Sequence, residues 1–184
     1  MILPVYAYGQ PILKKKAEKI VKDYQGLDAL LEDMWETMYY ASGVGLAAPQ
    51  IGQSIRLFLV DTIQAMDEGE EDEGIKKVFI NAEMLEEEGD LWSYEEGCLS
   101  IPHIRADVER QKRIKIKYYD ESFNKFIEEY EGINARVIQH EYDHIEGKLF
   151  TEKLKPLKKK MLNRKLEQIR KGKVKADYRL RFLN

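Results

Sequence analysis

His140, Glu141 and His144 stand in the order His-Glu-x-x-His. On a helix, residues four apart share a face one turn apart, so both imidazoles can reach one ion. Glu141 follows the first imidazole directly, where a carboxylate can hydrogen-bond a water on that ion without being a ligand. The chain has three histidines, and two of them occupy this pattern. Ile133 and Val137 lie on the same helical face, which predicts that it turns inward, where an unpaired imidazole or carboxylate would be costly. The expectation is a divalent-metal site with Glu141 as acid/base. Such a site needs a third protein ligand and an open position. Glu152 and Glu167 are formal candidates downstream. The lone Cys98, in Glu95-Glu96-Gly97-Cys98-Leu99-Ser100, is the better one. A thiol beside glycine on extended backbone can approach an ion closely, although an isolated cysteine is more often a small buried residue.

The elements that must position these groups are readable in outline. Leu27, Leu30, Leu31, Met34, Trp35 and Met38 follow three-and-four spacing, predicting a helix over 26–39 that Ser42-Gly43 ends. Gly43 to Gly52 is small and Gly/Pro-punctuated, and reads as irregular. Residues 56–61 read as a buried strand. The stretch 64–77 carries six acidic side chains and predicts a solvated loop. Short strands are expected at 78–81, 104–108, 113–119 and 125–131, the last two forming a hairpin around Asp120–Asn124. The metal-binding helix is expected from Ile133 to Glu146 with Gly147 as its cap, and Pro156 opens a basic helix that Gly172 can stop. The expected class is α+β: antiparallel strands packed around a central metal-binding helix, with a basic C-terminal helix, all in a single domain over 1–184.

The totals leave that reading room. A chain of 184 residues, 43% apolar and 34% charged, can bury a globular core. A net charge of −3 gives no global reason to expect nucleic acid or a membrane. One cysteine excludes an intramolecular disulfide and suits a reducing compartment. The apolar start, Met1 to Tyr8, is followed rather than preceded by Lys14–Lys16, the reverse of a secretory signal. A cytoplasmic protein is expected.

Three segments together resemble the signature motifs of the peptide deformylases, in that family's order: Gly43-Val44-Gly45-Leu46-Ala47-Ala48-Pro49-Gln50, Glu96-Gly97-Cys98-Leu99-Ser100, and Gln139-His140-Glu141-Tyr142-Asp143-His144-Ile145-Glu146-Gly147. The resemblance implies a hydrolase that removes the formyl group from the N-terminal methionine of nascent polypeptides, releasing formate. It implies Cys98, His140 and His144 as metal ligands and Glu141 as the catalytic acid/base. The Gln50 amide and the Leu99 N–H are the implied oxyanion donors. It implies main-chain contacts to substrate from Gly45, while Val44, Ile133 and Val137 are placed to line a methionine slot or, equally, to pack the core. Arg136 stands where another lining residue would be apolar. Thiolate and two imidazoles suit zinc, and also iron, cobalt or nickel; the family commonly uses Fe2+, so Fe2+ is expected in the cell. Asp143 and Glu96 are candidates to orient the ligands, with Arg105 or Arg110 pairing Glu96. His103 is expected at the surface with no ligand role.

From Lys155 to Arg181 the chain carries twelve basic side chains against Glu167 and Asp177. Charge runs are commonly solvated helix faces. The resemblance adds a sharper expectation, contact with ribosomal RNA through 156–184. Two rival readings stay open: a metallopeptidase or amidase with a third ligand other than Cys98, and an inactive ribosome-binding relative.

Overall fold

The structure, a computed structural model, describes residues 1–183. Its elements run β1 (Val5–Tyr6), α1 (Leu27–Tyr40), β2 (Gly45–Ala47), β3 (Leu57–Asp61), β4 (Lys76–Cys98), β5 (Ile101–Tyr119), β6 (Lys125–Glu131), α2 (Gly132–Ile145), α3 (Pro156–Arg170) and β7 (Leu180–Arg181). β2 to β6 form one antiparallel sheet in chain order, and β1 pairs with β7 in parallel. This is the α+β arrangement expected, with α2 against β2, β3, β5 and β6.

β3 explains why the sheet needs two helical covers. All five of its residues are buried. Leu57 and Leu59 face a cluster with Leu31, Met34 and Met38 of α1. Phe58 and Val60 face the opposite cluster, with Ala135, Ile138 and Ile145 of α2. Burying such a side chain is worth about 1.5–3 kcal/mol, so the inner face of α2 is driven onto the sheet and carries its histidines with it. A third cluster joins Leu13, Ile104 and Val108 to Leu162, Leu166 and Ile169 of α3. Among the described residues no helix is long and apolar enough to cross a membrane.

The strand reading needs correction in two places. The separate short strands expected at 78–81, 104–108 and 113–119 belong to two continuous strands, paired from Ile80↔Tyr119 to Cys98↔Ile101. The middle of β4 is solvent-exposed, so no apolar alternation marks it. Its ladder is flanked by cross-strand pairs such as Glu95–Arg105 at 2.9 Å and Glu83–Lys117 at 2.8 Å. The segment Gly43–Gly52, expected irregular, contains β2 and a 3₁₀ turn at Ala48–Ile51, with Gly52 leaving it at φ 84°. The helix ends came out close to expectation, with Gly147 and Gly172 at φ 72° and 70°.

Candidate metal centre

α2 presents His140 and His144 one turn apart on its buried side, with ring centroids 5.2 Å apart. β4 ends at Cys98, bringing a thiol from a different element to the same point. The ligand atoms of Cys98, His140 and His144 lie within 4.8 Å of one another, and the Cys98 sulfur is 3.4 Å from Nε2 of His144. A tetrahedral ion with bonds of about 2.0–2.3 Å spaces its ligand atoms roughly 3.3–3.8 Å apart, a spacing the Cys98–His144 pair already has. One thiol and two imidazoles are a donor set for a borderline-soft divalent cation. Glu152 and Glu167 lie elsewhere: Glu152 accepts from Lys14 and the Leu149 N–H, and Glu167 pairs with Arg170 at 2.8 Å.

The ring of His140 is held from behind. Its Nδ1 lies 2.9 Å from Oε1 of Glu96, leaving Nε2 for an ion. Glu96 is buried and takes a bidentate grip from Arg110, at 2.8 and 3.0 Å, and a further bond from Arg136 at 2.7 Å. Burial opposes its charge, yet the bonds from His140 and Arg110 hold its carboxyl well below the usual carboxylate range. Arg110 also reaches Asp143 at 2.8 Å. Arg105 pairs with Glu95 rather than Glu96. Burial disfavours a charged His140, but its contacts with Cys98 and Glu96 raise its pKa, whereas burial and the neighbouring His140 charge lower that of His144.

Arg136, which broke the expected apolar lining, is 1% exposed. Its guanidinium bonds Glu96, the Val108 carbonyl at 2.8 Å and the Trp92 carbonyl at 2.7 Å, and stacks 4.7 Å over the Trp92 ring. A buried cation must be paired, so its place on an inward helix face already required a carboxylate such as Glu96.

Glu141 is buried beside these side chains, and its Oε2 has no partner among the described residues. Burial pushes its carboxyl up to about 7, against the charge of His140. A cation beside it pulls that value back down. Gly45 explains how the carboxylate fits: a Cβ there would stand 2.7 Å from the Glu141 carboxyl carbon. An unpaired carboxylate oxygen next to an ion site is a proton acceptor waiting for an incoming molecule.

Gln50 is buried and fixed at both ends of its amide. Its Oε1 accepts from the Ala47 N–H at 2.9 Å, while Nε2 donates to Ser100 Oγ at 3.1 Å and sits 3.5 Å from the Cys98 sulfur. The cleft over these groups, about 540 Å³, is bordered by Gly43–Gly45, by Cys98 and Leu99, and by Ile133 and Val137. Val44, Ile133 and Val137 are each half-buried in it. His103 is exposed at its rim. Two features of the cleft were missed from sequence: Ser100, which receives Gln50, and Ala176–Tyr178, which reach it after α3. No pattern around Tyr178 signals a return to the site.

The same fold and the same length of chain recur in known proteins. The family profile described as polypeptide deformylase matches residues 2–160. The chain is 53% identical over 191 residues to the peptide deformylase of Christiangramia forsetii, covering 100% of this chain and 97% of that one. It is 54% identical over 190 residues to that of Flavobacterium psychrophilum, covering 100% and 98%. Among solved structures, the Thermus thermophilus peptide deformylase superposes with a TM-score of 0.82 at 39% identity, covering 94% of this chain and 99% of that one. The Legionella pneumophila enzyme gives 0.80 at 37%, covering 93% and 96%. With a thiol and two imidazoles converging beside an unpaired glutamate, and this similarity extending over the whole length, the chain belongs to the polypeptide deformylase family.

Proposed function

We propose that this chain hydrolyses the N-formyl group of formylmethionine at the start of nascent polypeptides, with Cys98, His140 and His144 holding one divalent ion. The observation that carries the reading is the buried, unpartnered Oε2 of Glu141 beside those three ligands. When bound, the ion supplies Lewis acidity, polarising a carbonyl and making water a stronger acid at neutral pH. Glu141 takes a proton from the attacking water as oxygen bonds to the formyl carbon. It returns that proton to the amide nitrogen as the C–N bond breaks, so formate and a free amine leave. Gln50 Nε2 and the Leu99 N–H donate to the charge that develops on the formyl oxygen; such donors typically contribute 10²–10³-fold each, about 2.7–4 kcal/mol. Gly45 offers its main chain to the peptide, and Val44, Ile133 and Val137 receive the unbranched methionine side chain.

Fe2+ is the proposed ion in the cell, with Zn2+, Ni2+ or Co2+ able to occupy the same donors. The whole of 1–184 is proposed to act as one catalytic domain in the cytoplasm. The rival peptidase reading requires a third ligand other than Cys98, and the engagement of Glu152 and Glu167 elsewhere speaks against it. The lysines along α3 are exposed, which supports a docking role on the ribosome for 156–184. Salt-dependent co-sedimentation with ribosomes, lost on neutralising Lys158, Lys159 and Lys160, tests it.

The deciding assay is formate release from formyl-Met-Ala-Ser by anaerobically prepared, metal-loaded protein. No formate, together with cleavage of unformylated peptides, would leave the peptidase reading instead. Cys98→Ser with undiminished metal content would remove the ligand assignment.

A further inference from the structure

Cys98 closes β4 and Ile101 opens β5 opposite it, so Leu99 and Ser100 are the two-residue turn of this hairpin. Tight hairpins favour primed turns, which need positive φ at one or both central residues. Neither Leu99 nor Ser100 has it. The turn therefore lacks the local geometry that normally stabilises such a connection.

Three segments remote in sequence hold it instead. The Tyr8 N–H donates to the Ser100 carbonyl at 2.8 Å. Gln50 donates to the Ser100 hydroxyl at 3.1 Å. The Tyr178 hydroxyl donates to the Leu99 carbonyl at 2.7 Å. Tyr8 and Tyr178 flank the small sheet, where Val5 lies opposite Leu180 and Tyr6 opposite Arg181. The Val5 N–H reaches the Arg179 carbonyl at 2.9 Å, and the Ala7 N–H reaches the Arg181 carbonyl at 3.0 Å. Val174, Leu180 and Phe182 pack on the cluster beneath, and His103 bonds the Lys175 carbonyl. Residues 174–182 are thus seated on the body of the protein, with Ala176–Tyr178 in the wall of the cleft.

The Leu99 carbonyl belongs to the central peptide of the turn. Rotation of that one plane is what interconverts turn types; the Leu99 N–H lies on the preceding Cys98–Leu99 peptide and is joined to it through the Leu99 Cα, so a fixed carbonyl steadies that N–H by restricting Leu99 rather than by holding it directly. We propose that Tyr178 is a positioning residue for the hydrolysis: its hydroxyl locks the Leu99–Ser100 peptide and so keeps the Leu99 N–H and the Cys98 thiol in register with Gln50 and the ion site. This rests on the deformylase reading and on the Leu99 N–H as an oxyanion donor. Although Tyr178 lines the cleft, its one side-chain hydrogen bond among the described residues is to the Leu99 carbonyl, so it acts through the turn.

The test is Tyr178→Phe in the full chain, which keeps the ring and removes the donor. With formyl-Met-Ala-Ser, kcat is expected to fall about fivefold, the weight of one hydrogen bond, with KM and metal per chain at wild-type values. Amide hydrogen exchange of a peptide spanning 97–102 is expected to quicken by a similar factor. Tyr178→Ala, which also loses the ring, is expected to show the same exchange change with a larger loss of kcat. Wild-type kcat in Tyr178→Phe, a loss confined to KM or metal content, or unchanged exchange each overturn the proposal. A lowered melting temperature with kcat intact does so too. If the wild-type protein itself releases no formate, the deformylase reading fails first, and the exchange arm still judges the clamp on the turn.

Discussion

Nδ1 of His140 meets Oε1 of Glu96 at 2.9 Å, joining one candidate ligand to a carboxylate that two arginines also grip. The bond leaves Nε2 as the ring nitrogen available to an ion, and it buries three cationic or potentially cationic groups around one negative charge. Glu96→Gln retains the shape but leaves Arg110 and Arg136 short of a counter-charge. Metal affinity should fall about 10- to 100-fold, and stability by about 3 kcal/mol or more, since breaking a buried pair exposes an uncompensated charge. Competition with a chelator and a thermal melt read the two effects separately. Unchanged affinity would show that the ring needs no such support.

Glu141→Gln keeps the volume of the buried side chain while removing its capacity to take a proton. Turnover should drop about 10²- to 10⁴-fold with one metal per chain still bound. Glu141→Ala is expected to lose at least as much. A variant that turns over near the wild-type rate would exclude the acid/base role, whereas loss of metal would show that Glu141 helps hold the ion.

Gly45→Ala tests how tightly β2 is fitted to that carboxylate. The added methyl would stand 2.7 Å from the carboxyl carbon of Glu141, so either the strand or the side chain must move. Because β2 is paired to β3 through Gly45↔Val60, the side chain should yield. A displacement near 1 Å can cost about 10²-fold in rate. The expected result is a fall in kcat with metal retained; wild-type kinetics would show that the fit is slack.

How much of this was legible follows from what each residue must satisfy. His140, Glu141 and His144 were found because a helix converts sequence spacing directly into spatial proximity. The burial of Phe58 and Val60 followed from apolar composition alone. The exposed middle of β4 was invisible, because charged residues such as Glu86–Glu88 carry no apolar alternation and are held in the strand by backbone pairing to β5. Arg110 was one of two candidates for Glu96, and its inward position in an alternation with Ile104, Ala106 and Val108 is what places it there rather than Arg105. Arg136 looked like an error in the lining until Glu96 gave it a partner. Tyr178 depends on a contact 79 positions away, which no local pattern encodes.

Acid sensitivity offers a prediction away from the site. Glu83 on β4 lies between Lys117, at 2.8 Å, and Lys19, at 2.6 Å. Bonds from Lys117 and then Lys19 lower its pKa from 4.5 to about 2. A depressed carboxylate pKa adds stability that is complete above the unfolded value and is lost as pH falls through the folded one. The contribution should therefore be whole at pH 6, decline below about pH 4.5, and be gone near pH 2. Glu83 is partly solvent-exposed, Lys19 more so and Lys117 somewhat less, so screening limits it to about 1 kcal/mol or less, roughly 2–4 °C for a chain of this size. Glu83→Gln should melt lower than wild type at pH 6. The gap should close as the pH is lowered toward 3 and shrink in high salt. A gap that holds constant with pH would assign the loss to packing of the Glu83 stem rather than to its charge.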